Sequence, residues 1–265
     1  MFTTVLGHVL AVCIGISLGL IGGGGSVLAV PILVYVMGVG SKAAIAMSLV
    51  IVGTVSLIGV VPHWRQGNVN LKIAAIFTPA AMLGAYLGAR LTALPAITET
   101  FQMICFGVVM LLASTLMIRK STHKTIPSQI KSPELAKGTA VSKKAHQYKW
   151  LFIPAEGLGV GILTGFVGVG GGFLIIPALV LLGGIPMKQA VGTSLLIIAA
   201  KSASGFMGYA SQVQIDWNLV ISFTIAAAIG TLLGSHFTKF IDANSLQKGF
   251  GYFVLVIAVF VLVKP

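Results

Sequence analysis

Long apolar runs separated by short polar stretches recur along the whole chain. Six of these runs are continuous, and they lie at about 43–61, 73–91, 101–118, 190–207, 219–235 and 249–263. Each is long enough to cross roughly 30 Å of hydrocarbon as a helix. Two further runs, near 5–38 and 150–183, are interrupted by glycines. The pattern predicts an all-α polytopic membrane protein with about eight membrane segments.

The stretch GLIGGGGSVLAVP, residues 19–31, places four consecutive glycines inside an apolar run. Glycine and the proline that follows weaken a continuous helix. Backbone freed at membrane depth persists only where it is buried in protein or lines a wet cavity. We therefore expect a broken or re-entrant helix that restarts near Val27, and near Phe173 in the second interrupted run. The alternative is that the glycines only allow helices to pack closely.

The two halves of the chain align without a gap at a constant offset of 146 residues, so that GISLGLIGGGGSVLAVPILV lies on GILTGFVGVGGGFLIIPALV. The matches fall largely on Gly, Pro, Lys, Ser and Gln, whereas unrelated apolar segments would share Leu, Val and Ala. Small-xxx-small pairs, typical of close helix packing, occur at Gly15/Gly19, at Gly84/Gly88 and at their copies. The duplication predicts a first transmembrane repeat (1–118), a basic linker (119–149) and a second transmembrane repeat (150–265).

The direction of the interrupted segment decides how the two repeats are oriented. If the segment crosses the membrane, each half has four spans and the copies are parallel. If it returns as a re-entrant hairpin, each half has three full spans and the copies are inverted. With the linker inside, the inverted arrangement places thirteen Lys and Arg inside and only Lys42, Arg90 and Lys264 outside. The parallel arrangement places eleven inside and five outside, so the positive-inside rule favours inverted repeats.

Composition supports a membrane protein, because 57% of the residues are hydrophobic and only 8% are charged. Such a chain has too little polar surface to cover a soluble globule. The net charge of +12 does not indicate nucleic-acid binding, since eight of the seventeen Lys and Arg lie in residues 119–149. This segment is predicted to be a cytoplasmic linker that contacts anionic lipid headgroups. Cys13 and Cys105 suggest neither a disulfide framework nor a metal site, and we expect no cofactor.

The glycine breaks and nearby polar side chains predict an anion site. A helix that restarts after the glycines points unpaired N–H groups and the positive end of its dipole into the cavity. Lys201, inside an apolar run, adds positive charge, or it snorkels to an interface or pairs with Glu156. Serine and threonine hydroxyls donate to an oxyanion or bond within their own helices. The expected substrate-binding residues are Gly22, Gly24, Gly25, Ser26, Ser48, Gly168, Gly170, Gly171, Gly172, Thr193, Ser194 and Lys201.

The motifs together resemble the sulfite exporter TauE/SafE family of membrane transport proteins. They are a GxGGG followed by proline, the sequence GIPMKQAVGTSL at residues 184–195, a later paired GxxxG and a degenerate copy in the first half. The resemblance covers nearly the whole chain outside the linker. It implies a carrier in the plasma (inner) membrane that moves small sulfur-containing anions such as sulfite, thiosulfate or organosulfonates. The two half-sites are expected to contribute unequally, because Ser26, Met47 and Gly40 stand where the second half has Gly172, Thr193 and Pro186.

The sequence therefore predicts a secondary transporter that works by alternating access around the paired helix breaks, as an exporter or, alternatively, as an importer. Its expected partners are a small sulfur anion and membrane lipids, with a homodimer left open. The alternatives are a transporter of another small organic anion such as a carboxylate, a cation carrier and an intramembrane enzyme. A cation carrier would favour intramembrane Asp or Glu, and the apolar runs contain almost none. An enzyme needs a nucleophile with a base or a metal cluster. The chain contains no HExxH motif, and its Gly-x-Ser-x-Gly match, GISLG at residues 15–19, lies inside an apolar run rather than at the strand-to-helix turn of a nucleophile elbow.

Overall fold

The computed structural model describes residues 2–91, 99–122, 141–167, 172–210 and 213–263, and within these ranges all regular structure is helical. Two π-helical turns, Ile32–Val36 and Ala178–Leu182, continue α2 and α7, and a 3₁₀ turn, Thr238–Phe240, follows α9. The helices are α1 Phe2–Ile21, α2 Gly24–Pro31, α3 Ser41–Arg65, α4 Leu71–Leu91, α5 Glu99–Thr122, α6 Val141–Val167, α7 Gly172–Pro177, α8 Met187–Tyr209, α9 Trp217–Phe237 and α10 Ala243–Val263.

Six of the described helices are long and apolar enough to cross a membrane, which confirms the all-α polytopic class. The α3 and α8 spans have the largest shares of buried residues, 67% and 61% of an 18-residue window, so they occupy the centre of the bundle. Helix α5 extends to Thr122 and α6 begins at Val141, so helices enter both ends of the predicted linker. The number of eight segments stays a prediction. The six spans are Thr3–Ile21, Ser41–Arg65, Leu71–Leu91, Met187–Tyr209, Trp217–Phe240 and Ala243–Phe260.

The chain reverses direction at the first glycine run. Gly22 has φ +76°, a left-handed conformation that glycine adopts without steric cost, and its N–H still donates to Leu18 O at 2.7 Å. Helix α2 then runs back along α1. Near its start, a β-carbon on Gly25 would collide with the Ile14 carbonyl, and after its end Met37 lies against Gly7. Residue numbers therefore rise along α2 as they fall along α1, and the two helices form a hairpin.

The expectation that this helix restarts near Val27 was three residues too late. Helix α2 begins at Gly24, so Gly24 and Gly25 form its first turn. A β-carbon on Gly24 would lie 2.8 Å from Ser17 Oγ, and one on Gly25 would lie 3.0 Å from Leu18 Cβ. The glycines therefore allow the first turn of α2 to pack against α1 as well as interrupting the helix.

Helix α1 packs against α9, which lies in the other half of the chain. A β-carbon on Gly15 would collide with the Ala227 carbonyl, and one on Gly19 would collide with the Thr231 carbonyl. Thr231 Oγ1 also donates to Gly15 O at 3.0 Å. Because residue numbers rise together along the two helices, α1 and α9 run parallel.

Helices α4 and α6 form a second parallel pair of the same kind. A β-carbon on Gly84 would collide with the Leu158 carbonyl, and one on Gly88 would collide with the Ile162 carbonyl. The same kind of contact occurs at Gly15 and Gly19 in the pair of α1 and α9. The predicted role of the small-xxx-small glycines in close helix packing is therefore confirmed. Each half therefore contributes one helix to the tight packing of the other.

Candidate functional site

The two glycine-rich segments meet inside the protein. A β-carbon on Gly23 would collide with the carbonyl group of Gly172, and one on Gly172 would lie 2.6 Å from Gly23 Cα. The same added atom on Gly172 would also collide with Ile198 Cδ1 of α8. Both glycines are buried. The start of α2 and the start of α7 are thus in backbone contact, at a point where no side chain fits between them.

The N-terminus of α2 is buried and has no side-chain cap. Its first-turn residues Gly24, Gly25, Ser26 and Val27 are all buried. The hydroxyl of Ser26 donates to Gly23 O at 2.8 Å, so it does not cap the helix. The first four N–H groups of a helix have no partner within that helix, and the helix dipole makes this end positive. The arrangement is chemically suited to an anion.

The hydroxyl groups predicted at the site have protein partners. Ser194 Oγ lies 3.2 Å from Gly22 O and 2.8 Å from Val191 O, so its proton is shared between a carbonyl at the break and one of its own helix. Thr193 Oγ1 accepts a hydrogen bond from Asn70 N at 2.9 Å. Ser48 Oγ donates to Ile45 O of its own helix at 2.8 Å. Among the described contacts of these three side chains, that of Ser194 with Gly22 O is the one that reaches a helix break.

Lys201 is buried, with 2% of its surface exposed. Its Nζ atom donates to Thr164 Oγ1 at 2.6 Å, and Thr164 Oγ1 donates in turn to Gly161 O at 3.1 Å. The partner of the ammonium group is thus a hydroxyl near the end of α6 rather than the carboxylate of Glu156. Lys201 also lies one helical turn after Ile198, the residue that contacts Gly172. Lys201 thus joins α8 to the last turns of α6, one helical turn away from the residue that contacts the start of α7.

His63 and Thr238 bind the end of α1, and neither is among the residues predicted from the sequence. His63 Nε2 lies 3.0 Å from Gly19 O, and Thr238 Oγ1 donates to the same carbonyl at 3.2 Å. The histidine bond requires a proton on Nε2, and its Nδ1 atom is then buried without a partner. A single histidine in an apolar helix has no spacing that distinguishes it. Its position beside the break at Gly22 follows only from the packing of α3 against the end of α1.

Three of the predicted site residues, Gly168, Gly170 and Gly171, lie outside the described residues. In the part of the chain that the structure describes, no group of three or more His, Cys, Asp or Glu side chains is arranged to hold a metal ion. An apolar cavity of about 500 Å³ lies between α3 and α8, lined by residues such as Leu49, Leu196 and Phe206. Its lining is not suited to an anion, so the helix breaks remain the candidate site.

A family model and several named membrane transporter proteins match the chain. The model of the family described as "Sulfite exporter TauE/SafE" matches residues 8–261. A Xylella fastidiosa (strain 9a5c) protein named "Probable membrane transporter protein" is 31% identical, over 94% of this chain and 91% of that protein. Bacillus subtilis YdhB, of the same description, is 27% identical over 89% of this chain and 90% of that protein. The Arabidopsis thaliana "Sulfite exporter TauE/SafE family protein 6" is 29% identical over 52% of this chain and 31% of that protein. No solved structure matches the chain.

Proposed function

This chain belongs to the sulfite exporter TauE/SafE family and is a multi-pass membrane transporter, and on that basis we propose that it exports small sulfur-containing anions. The proposed substrates are sulfite, thiosulfate and organosulfonates, which the protein would carry across the plasma membrane. The observation that carries the proposal is the buried contact between Gly23 and Gly172. It brings the two helix breaks together where an uncapped helix N-terminus is available to an anion.

Alternating access follows if the two halves are inverted repeats. The hairpin of α1 and α2 returns the chain to the side from which it entered, as the inverted arrangement requires. The packing of the helices also supports inverted repeats. At the offset of 146 residues α6 corresponds to α1 and α9 corresponds to α4, and α1 packs parallel to α9 just as α6 packs parallel to α4. Transporters built from such repeats bind substrate between broken helices near the membrane midplane and expose it to each side in turn.

Anion binding at this site would combine backbone and side-chain donors. The N–H groups of Gly24, Gly25 and Ser26 would bind the oxyanion at the positive end of α2. Lys201 would add positive charge from the second half, where its burial keeps that charge from being screened by water. Such donors accept carboxylates as readily as sulfur oxyanions, so substrate selectivity has to be measured.

The first experiment is flux of sulfite, thiosulfate and an organosulfonate into liposomes that contain the purified protein, with chloride, phosphate and a carboxylate as comparison ions. We expect saturable transport of a sulfur anion. Activity with a carboxylate alone would keep the transport site and overturn the substrate class. Activity with cations alone would overturn the anion site as well.

The variant that tests the site is Gly24→Leu, which we expect to abolish flux while the protein still inserts into membranes. Its side chain would enter the space beside Ser17 Oγ and Phe253, which lie 2.8 and 3.2 Å from an added β-carbon. The matched control is Gly159→Leu, because a β-carbon there meets nothing within 4 Å. If Gly24→Leu misfolds, Gly24→Ala is tested in its place. Its β-carbon approaches only atoms of the Ser17 and Phe253 side chains, which can move. Unchanged flux in a folded Gly24 variant would remove the site proposal.

A further inference from the structure

A groove of about 530 Å³ lies between the last turns of α3 and the end of α9, away from the helix breaks. Three basic side chains line it, namely Arg65, His236 and Lys239, and the side chains of Val61 and Leu232 contribute apolar wall. No acidic side chain is among its lining residues, all of which belong to the described part of the chain. The groove therefore combines positive charge with apolar surface.

The groove is part of the packed structure rather than a chance gap between side chains. Gln66 Nε2 donates to Ser235 O at 3.4 Å, which joins the end of α3 to the end of α9. Thr238, next to Lys239, donates to Gly19 O of α1 at 3.2 Å. The helix ends that carry the basic groups are thus fixed by hydrogen bonds between helices.

Exposed aromatic side chains place the groove at the membrane–water interface. Trp64 is adjacent to Arg65, and Phe237 and Phe240 flank Lys239 in the sequence. Their exposed fractions are 52%, 53% and 76%. Aromatic side chains are enriched at the level of the lipid headgroups. The basic groups of the groove therefore lie where headgroup phosphates lie.

Chain connectivity indicates which side of the membrane the groove faces. Helix α10 begins just after Lys239, and Gln247 of α10 donates to Met117 O of α5 at 3.3 Å. Helix α5 ends a few residues later, at Thr122, just inside the predicted cytoplasmic linker (119–149). The groove and the start of the linker therefore share one end of the protein. In the cytoplasmic leaflet, anionic lipids give the membrane surface a negative potential.

From these observations we propose that the groove binds an anionic phospholipid, with the headgroup phosphate on Arg65 and Lys239 and an acyl chain along Val61 and Leu232. Basic pockets between transmembrane helices on the cytoplasmic side are suited to such headgroups. A free phosphate offers the same chemistry to the cations but leaves the apolar wall uncovered. The proposal is independent of which anion the protein transports.

The experiment measures quenching of Trp64 fluorescence by brominated lipids in the full chain, with Trp150 and Trp217 replaced by Phe. We expect brominated phosphatidylglycerol to bind at least about tenfold more tightly than brominated phosphatidylcholine, because each surface cation attracts anionic lipid appreciably. The double variant Arg65→Gln/Lys239→Gln should bring the two affinities to within about twofold of each other. The matched control is Lys42→Gln/Arg90→Gln, which removes the same charge at the opposite end of α3 and α4.

The preference for phosphatidylglycerol should survive in the control and in Lys239→Arg, which keeps the charge and checks that substitution here does not unfold the protein. Equal binding of the two lipids by the unsubstituted protein would overturn the proposal, as would a preference that persists in the Arg65→Gln/Lys239→Gln variant. Complete displacement of the lipid by millimolar inorganic phosphate would show a site for free anions instead.

Discussion

The carbonyl groups of Gly19 and Gly165, each three residues before a glycine break, are bound by different side chains. Gly19 O is contacted by His63 Nε2 at 3.0 Å and by Thr238 Oγ1 at 3.2 Å. Gly165 O accepts a hydrogen bond from the hydroxyl of Tyr209 at 3.2 Å. His63 and Tyr209 are themselves separated by the same 146 residues as the two glycines. The two regions thus use the same contact with different chemistry.

The buried charge differs between the two regions more than the hydrogen bonding does. Lys201 in the second half is 2% exposed, and the position 146 residues earlier is Val55, which is 1% exposed. Both side chains are buried in the same kind of central helix, but only one carries a charge. A side-chain contact with the carbonyl group before the break is therefore common to the two regions, while the buried charge is not. If the proposed site binds an anion, the second half should contribute most of the side-chain attraction.

The largest expected effect in this comparison is that of Lys201→Met on transport. Loss of the buried ammonium group should lower the flux of the sulfur anion by at least about tenfold, equivalent to about 1.4 kcal/mol. Stability should not fall, because a buried ammonium is costly to keep in an apolar region. Liposome flux and thermal unfolding in detergent measure the two quantities. Val55→Met is the matched control, and equal flux in the two variants would contradict the asymmetry.

A smaller effect is expected from the hydrogen bonds to the two carbonyl groups. Tyr209→Phe removes the described donor to Gly165 O and should lower the free energy of unfolding by about 1 kcal/mol. His63→Phe should cost less, because Thr238 still donates to Gly19 O. The double variant His63→Phe/Thr238→Val removes both described side-chain contacts to that carbonyl and should cost more than the sum of the single variants. Denaturant unfolding checks this order, and strictly additive losses would contradict it.

The smallest effect separates Ser194 from Ser48, which are also 146 residues apart. Ser194→Ala removes a hydrogen bond to the break at Gly22 and should cost about 0.5–1.5 kcal/mol. Within the described part of the chain, Ser48→Ala removes a bond to a carbonyl of its own helix, so the loss should stay within about 0.5 kcal/mol of the unsubstituted protein. The same unfolding measurements apply. A larger loss for Ser48→Ala would mean that its hydroxyl has a role that the described contacts lack.

Sequence reasoning located the breaks because a run of glycines inside an apolar segment disfavours a continuous helix. It found Gly22, whose left-handed backbone ends α1, and it identified the glycine pairs that pack helices. It could not assign the partners of those pairs, because α9 and α6 become neighbours of α1 and α4 only through the fold. The start of α2 was misplaced because close packing against Ile14 and Leu18, rather than helix propensity, determines where the glycines become helical.

The candidate site was predicted less completely than the fold. Lys201 stood out because an ionisable residue in an apolar run is costly, but its hydroxyl partner on α6 had no signal in the sequence. His63 and Thr238 were missed because each reaches the break from a helix far along the chain. Both side chains contact the backbone carbonyl group of Gly19. Because every residue type has this group, the sequence contains no signal for the contact. The residues that bind backbone are therefore the ones that pattern reading overlooks.

The pairing of α1 with α9 also constrains how the protein is made. Thr231 donates to Gly15 across 216 residues of chain, so α1 is synthesised long before its partner. At about 5–20 residues per second, the ribosome needs roughly 10–40 s to reach α9. During that interval the glycine surface of α1 faces lipid or an insertion factor instead of its final neighbour. Biogenesis must therefore hold the first helix without its α9 partner until almost the entire polypeptide has entered the membrane.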